Sequence, residues 1–491
     1  MIGDMVWWKP DKNSPKPIYR QIVDYFKGEI SSGALPLGSR LPSQREMAAF
    51  FDVNRSTVVE ALEELKSEGI IEGKGGSGTR VANNTWAMFL SGAKTNWKPY
   101  IEKGIHKPNL PMIQAINKLE ADPEVLRLGT GEPSPEFFPK EMMEKVMSKV
   151  SSKLGYMGYI EPKGMYNLRK VISEHLKTKG ISQEPSSILI VSGALQALQL
   201  ISLGISPLGS TILVENPSYL QSLYVFQSSG MKLESINMDE RGLKLDDLKK
   251  KVKKSKSQFL YTIPTYQNPT GRLMDLDRRK ELVKFCMDER IPIIEDDVYS
   301  ELWFDEEPPI PLKALDKGGN ILYVGSLSKS LAPGFRIGWI AGPEPVIERL
   351  ADIKMQTDYG SSSISQWIVA EWIESGYYFE HLKNMRRELK ERRDIALEIL
   401  SEKYWSFASW EIPKGGFYIW LKMKKALNLK NLFDETIKRK ILLNPGSIYD
   451  HDDDQHLRIS YSYESKEDLK KGLIILSEII EDMIIKEKLT I

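Results

Sequence analysis

A chain of 491 residues, 41% hydrophobic and 27% charged, is too long for one ordinary core and too ordinary in composition to be disordered, fibrous or membrane-embedded, so two or three domains are expected. Its 68 basic residues stand against 67 acidic ones, a net charge of +1, which excludes any partner chosen by bulk charge and leaves only local distribution to inform. The single cysteine, Cys286, excludes an intramolecular disulfide and a cysteine-rich metal site, fits a reducing cytosol, and sits in a helical context as buried filler.

The first ten residues hold a tryptophan pair but no basic segment followed by an apolar run, so no signal peptide and a cytoplasmic location are expected. Ile18, Ile22, Phe26 and Ile30 recur every four residues, which predicts an amphipathic helix over 17–31. Ser43 with Glu46 three residues on is a capping box that starts a second helix. After Phe51-Asp52-Val53-Asn54, with Asn54 as the expected cap, Val58, Leu62 and Leu65 share one face of a third. Two short helices joined by a short turn put the first turn of the second, here Arg55, Ser56 and Thr57, into a major groove. Ile70 and Ile71, a glycine-rich loop over 73–78 and Thr79-Arg80-Val81 predict a hairpin whose tip approaches phosphates without side-chain clash, a wing.

Residues 14–82 hold nine basic and nine acidic residues, so the electrostatic footprint of a DNA binder is missing overall. The signs are nevertheless separated. Arg40, Arg45, Arg55, Lys74 and Arg80 flank the groove-facing elements, whereas Glu60, Glu63, Glu64 and Glu68 sit at the far end of the third helix. On these residues alone a small helical interaction module competes with a DNA reader. Ser39-Arg40-Leu41-Pro42-Ser43-Gln44-Arg45-Glu46-Met47-Ala48, followed by Val53-Asn54-Arg55-Ser56-Thr57-Val58, closely resembles the GntR family of bacterial regulators. That resemblance implies DNA contacts from Arg40, Ser43, Arg45, Arg55 and Thr57 and from the wing.

Residues 83–123, with Trp86, Trp97, Pro99, Pro108 and Pro111 and no sustained period, are expected to be a linker. From 124 to 491, strands at 187–191, 211–215, 259–263, 291–295 and 320–325 alternate with helical stretches, which predicts an α/β domain with a mostly parallel sheet. The uncharged run 185–214 is divided by Gly193, Gly204, Pro207 and Gly209 into strand, turn, helix and turn, and is no membrane span.

Five strand ends in this domain carry chemistry. Ser192-Gly193-Ala194-Leu195-Gln196 opens a helix after a strand, so its free amides can hold an anion. Tyr219, in Glu215-Asn216-Pro217-Ser218-Tyr219, is suited to stacking on a ring, and Asn268, on the turn Gln267-Asn268-Pro269-Thr270-Gly271, to donating to a ring oxygen, as is the Tyr299 hydroxyl. Asp296, in Glu295-Asp296-Asp297-Val298-Tyr299, can pair with a protonated pyridine nitrogen. Lys329, in the run from Ser326 to Gly338, is bracketed by serines and followed seven residues on by Arg336. That spacing suits a cofactor with both an aldehyde and a phosphate: Lys329 would condense with the first, and Ser326, Ser328 and Arg336 would hold the second.

In this order the segments resemble the fold-type-I aminotransferases of class I/II, nearest the kynurenine and aminoadipate branch, over roughly 124 to 485. The resemblance implies pyridoxal 5'-phosphate, a seven-stranded sheet, a smaller second subdomain built from both ends of the domain, and a homodimer. It also implies that Tyr159 reaches the partner subunit's phosphate, that Gly131 lies near the substrate, and that Arg458 holds an α-carboxylate. Many relatives carry a hydroxyl residue where Ala194 stands. The two halves together resemble the MocR subgroup of the GntR family, which implies a transcription regulator that binds promoter DNA through two half-sites and senses pyridoxal phosphate or an amino compound. A working aminotransferase with a DNA-binding module attached is the alternative, and a DNA-binding scaffold that has lost its ligand is disfavoured by the intact cofactor set.

Overall fold

The structure, a computed structural model, describes residues 8–31, 35, 39–74, 78–82, 109–155, 157–253, 258–402, 405–424 and 427–489. The expected linker lies outside the described residues as far as 108, Trp86 and Trp97 included, as do the wing tip 75–77 and the side chain of Lys74. The chain folds as two units that divide between Lys118 and Leu119.

In the first unit, helices Ile18–Ser31, Gln44–Phe51 and Arg55–Ser67 precede an antiparallel hairpin of Ile71–Lys74 and Gly78–Val81. The four-residue apolar period buries Ile22, Phe26 and Ile30, which meet Met47, Phe51, Val58, Leu62, Leu65 and Val81 in one core. Phe26 and Phe51 pack edge to face at 6.0 Å, a geometry that aligns the ring edge with the opposing face. Residues before the second helix join the hairpin: Leu41 donates to the Thr79 carbonyl at 2.8 Å and Val81 to that of Ser39 at 2.9 Å. The capping box forms, with the Glu46 amide on the Ser43 hydroxyl at 3.3 Å and the Ser43 amide on the Glu46 carboxylate at 2.7 Å. Asn54 departs from expectation. It stands at the cap position with extended backbone, but its side chain makes no capping bond. The Thr57 amide is satisfied instead by the Asn54 backbone carbonyl at 3.1 Å, a tight first turn that needs no side chain.

Within the stretch expected as linker, Pro111–Leu119 is helical. Proline is well placed at a first helical position, and nine residues beside prolines are too few for a period to stand out.

The second unit is built on an eight-stranded sheet in the order Ile188–Val191, Gly338–Ala341, Ile321–Ser326, Ile293–Asp296, Gln258–Thr262, Thr211–Asn216, Lys232–Asp239, Gly242–Leu243. Gly338–Ala341 runs antiparallel to both neighbours, Gly242–Leu243 is antiparallel at the edge, and the other pairs are parallel. The family likeness gave seven strands. The eighth is a two-residue return after Asp239, turned by Gly242 at φ 97°, and is too short to carry an alternating pattern. The edge strand Ile188–Val191 and the inner strand Ile321–Ser326 are both buried along their length because helices cover both faces. A smaller antiparallel sheet joins Ala408–Ser409, Tyr418–Met423, His456–Ser460 and Asn444–Pro445, and Leu126–Arg127 pairs with Ile441–Leu442, so both ends of the domain build this part. No helix among the described residues is long and apolar enough to cross a membrane.

Candidate functional site

Parallel strands all end on one side of their sheet, and there Asn216, the turn after Thr262, Asp296 and Ser326 come together. Asp296 closes its strand with 4% exposure; one carboxylate oxygen accepts from the Tyr261 hydroxyl at 2.8 Å, and the other is buried without a partner. Burial pushes this carboxyl up to about 6, against the downward pull of the Tyr261 hydrogen bond and of Lys329. Half-buried Lys329 donates to the Gly131 carbonyl at 2.5 Å. Gly131 lies so close to the pocket wall that a Cβ there would sit 2.4 Å from the Tyr418 hydroxyl.

Arg458 enters from the small sheet, buried, over the rings of Tyr418 at 4.2 Å and Tyr449 at 4.9 Å. It donates to the Asn268 amide oxygen at 2.8 Å and to the Gly129 carbonyl at 2.5 Å, and its Nε is buried without a partner. Asn268 turns its amide nitrogen toward the Tyr299 hydroxyl at 3.5 Å, and that hydroxyl shares a hydrogen bond with Tyr418 at 3.0 Å. Tyr219 is half-buried nearby, its hydroxyl pushed up to about 12 by burial.

Across the sheet, the Ser326 hydroxyl bonds that of Ser328 at 3.1 Å, and Arg336, in left-handed backbone at φ 52°, donates to the Ser192 carbonyl at 2.7 Å. Gly193, at φ 88°, precedes the helix Ala194–Gly204, and a Cβ on it would meet the Arg336 guanidinium at 2.7 Å. An exposed guanidinium beside the free amides of Ala194 and Leu195 is an anion cradle. Tyr159 is 86% exposed and packs on Tyr359 at 4.9 Å. The residues present fit pyridoxal phosphate. The orphan Asp296 oxygen suits a ring N–H, Lys329 an aldehyde, and the Arg336 cradle a phosphate.

Tyr261 and Tyr418 escape the sequence reading because tyrosines in strands read as core. The only available signal is the pair Gly415 and Gly416 just before Tyr418, where an added Cβ would strike Tyr266, a mark of close backbone approach.

In the first unit the third helix begins at Arg55, whose guanidinium is held by the Gln44 side chain at 2.9 and 3.2 Å, tying it to the second helix. Arg45, Arg55, Ser56 and Ser43 are exposed, Thr57 is half-buried, and exposed Arg40 lays its guanidinium beside Gly78 of the hairpin while its backbone pairs antiparallel with that of Arg80.

Two family models match the chain: "Aminotransferase class I and II" over residues 123–474, and "Bacterial regulatory proteins, gntR family" over 18–81. The chain is 50% identical over 471 residues to the uncharacterized HTH-type transcriptional regulator YisV of Bacillus subtilis, spanning 96% of this chain and 97% of the relative. It is 35% identical over 437 residues to the HTH-type transcriptional regulator NorG of Staphylococcus aureus, spanning 88% and 98%. Among solved structures it is similar to the kynurenine aminotransferase of Pyrococcus horikoshii in complex with PMP, at a TM-score of 0.72 and 31% identity over 77% of this chain and 96% of that one. The α-aminoadipate aminotransferase LysN of Thermus thermophilus gives a TM-score of 0.71 and 27% identity over 82% and 99%.

Proposed function

The chain belongs to the gntR family of bacterial regulatory proteins, with a helix-turn-helix module ahead of an aminotransferase class I and II domain, and on that premise we propose that the second domain senses pyridoxal phosphate, and an amino compound reached through it, for the DNA-reading heads. This two-domain make-up is that of the MocR subgroup. The observation that carries the reading is the buried Asp296 carboxylate with one oxygen bonded by Tyr261 and the other left for a partner.

Bound pyridoxal phosphate supplies an aldehyde that condenses with amines and a ring that draws electrons from them. Asp296 would hold the ring nitrogen, Tyr219 the ring face, and Asn268 with Tyr299 the ring oxygen. Ser326, Ser328, Arg336 and the amides of Ala194 and Leu195 would hold the phosphate, with Tyr159 from a second subunit. Arg458, already stacked on two tyrosines and short of one partner at Nε, would take a ligand carboxylate as a bidentate fork. Lys329, on release from the Gly131 carbonyl, can take a proton from the ligand α-carbon or return it, which favours an aminotransferase with an attached DNA module as the second reading.

The first unit would read operator bases and phosphates through Arg40, Ser43, Arg45, Arg55, Ser56 and Thr57, with Lys74 and Arg80 on the wing. The protein would act in the cytoplasm as a homodimer on two half-sites. Two experiments test this. Borohydride reduction of protein loaded with pyridoxal phosphate, followed by peptide mapping, should place the label on Lys329 and find none in Lys329→Ala; a label in that variant, or at another lysine of the parent, sinks the pocket assignment. A coupled assay with amino acids and 2-oxoglutarate separates sensor from enzyme, since sustained turnover supports the second reading.

A further inference from the structure

Behind the Ser192–Gly193 turn stands a group of side chains that the cofactor reading leaves unused. The turn lacks a hydroxyl at Ala194. Into that neighbourhood the 358–361 loop, between helices Glu344–Thr357 and Ser363–Glu374, brings Ser361, which is 9% exposed and places its hydroxyl 3.3 Å from that of Ser192. The carbonyl of the same Ser192 takes the Arg336 guanidinium.

The loop is held firmly. Lys354 is fully buried, and its ammonium reaches Asp358 at 2.7 and 2.8 Å and Gln196 at 3.0 Å. Gln196 in turn accepts from the Ser192 amide at 2.7 Å and donates to Asp358 at 2.5 Å. A buried ammonium is tolerated only when such pairing offsets its desolvation, so the loop and the anion-binding turn are fixed to one anchor. Tyr359 adopts φ 62°, a left-handed backbone that a bulky residue keeps only where its surroundings over-determine it, and such residues gather at functional sites. On its other side the loop meets Tyr159, whose ring packs on Tyr359, while Gln366 bonds both the Ser361 carbonyl at 2.9 Å and the Met165 amide at 2.7 Å.

We propose that Ser361 is a phosphate-positioning residue, which orients the Ser192 hydroxyl and its turn toward the anion in place of the hydroxyl missing at Ala194. The inference rests on the reading of this site as a pyridoxal phosphate pocket. No new bond chemistry is involved, only hydrogen bonding to an anion.

The test is a titration of the full-length protein, Ser361→Ala, Ser192→Ala and the double variant with pyridoxal phosphate and with pyridoxal, which lacks the phosphate. Ser361→Ala should weaken pyridoxal phosphate about fivefold, the effect of one hydrogen bond, and leave pyridoxal unchanged. The double variant should be no weaker than the weaker single, because both residues act through one contact. Equal losses for the two ligands, no loss for either, or losses that multiply in the double variant overturn the positioning role while the pocket assignment stands. A parent protein that binds neither ligand overturns both.

Discussion

Asp296 carries a conflict between stability and binding. Burial raises its carboxyl from 3.8 to about 6, so the group's contribution to stability is fully present below its unfolded value and is lost as pH rises through about 6. The displacement corresponds to ~3 kcal/mol at most. Asp296→Asn should therefore stabilise the cofactor-free second domain at pH 8 by up to about 3 kcal/mol, with the gain shrinking toward pH 4, and should weaken pyridoxal phosphate binding. Denaturation midpoints at both pH values check the first half, and unchanged midpoints at pH 8 contradict it. Arg458→Ala should cost a carboxylate ligand about 2–4 kcal/mol, because a buried charge-assisted pair is lost. Asn268 also loses a donor in that variant, so cofactor affinity should fall by about 1 kcal/mol or less. Competition titrations measure both, and equal ligand affinity in parent and variant would place the carboxylate elsewhere. Asp296, Lys329 and Arg336 could be picked out as candidates because Asp296 closes a strand, Lys329 follows one, and Arg336 stands seven residues beyond Lys329 in one spaced motif. Tyr261 and Tyr418 were not, because their roles arise only when separate strands bring a hydroxyl to Asp296 or Tyr299.

At the scale of elements, the helix periods of the first unit were readable because each helix buries one stripe, and the Ser43–Glu46 box is a purely local signal. What could not be read were pieces too short for any period, Gly242–Leu243 and Pro111–Leu119, and whether Asn54 would use its side chain. The Arg55–Gln44 bond ties the second and third helices together at the proposed groove-facing edge. Arg55→Ala should cost about 1–3 kcal/mol in operator affinity if Arg55 reads a base, whereas Gln44→Ala, which only frees the guanidinium, should cost less. Fluorescence anisotropy on operator DNA compares them, and a larger loss for Gln44→Ala would reverse the assignment. Phe26 is fully buried, so Phe26→Ala should destabilise the first unit by about 3–5 kcal/mol. Since the units have separate cores, DNA binding should be lost while pyridoxal phosphate binding is kept. Loss of both in that variant would contradict independent folding.

For the whole molecule, the winged module's balance of nine basic and nine acidic residues leaves little non-specific attraction to DNA, so affinity has to come from specific contacts and from pairing two modules on one operator. A ligand in the second domain can change transcription only through its differential affinity for two arrangements of the reading heads, typically worth 1–3 kcal/mol. The most direct test is operator affinity at fixed salt, with and without pyridoxal phosphate and candidate amino compounds, for the parent and Lys329→Ala. Operator affinity should shift by about 5- to 150-fold in the parent and not at all in the variant; identical affinity in the parent with and without these ligands would contradict a sensing role for the second domain.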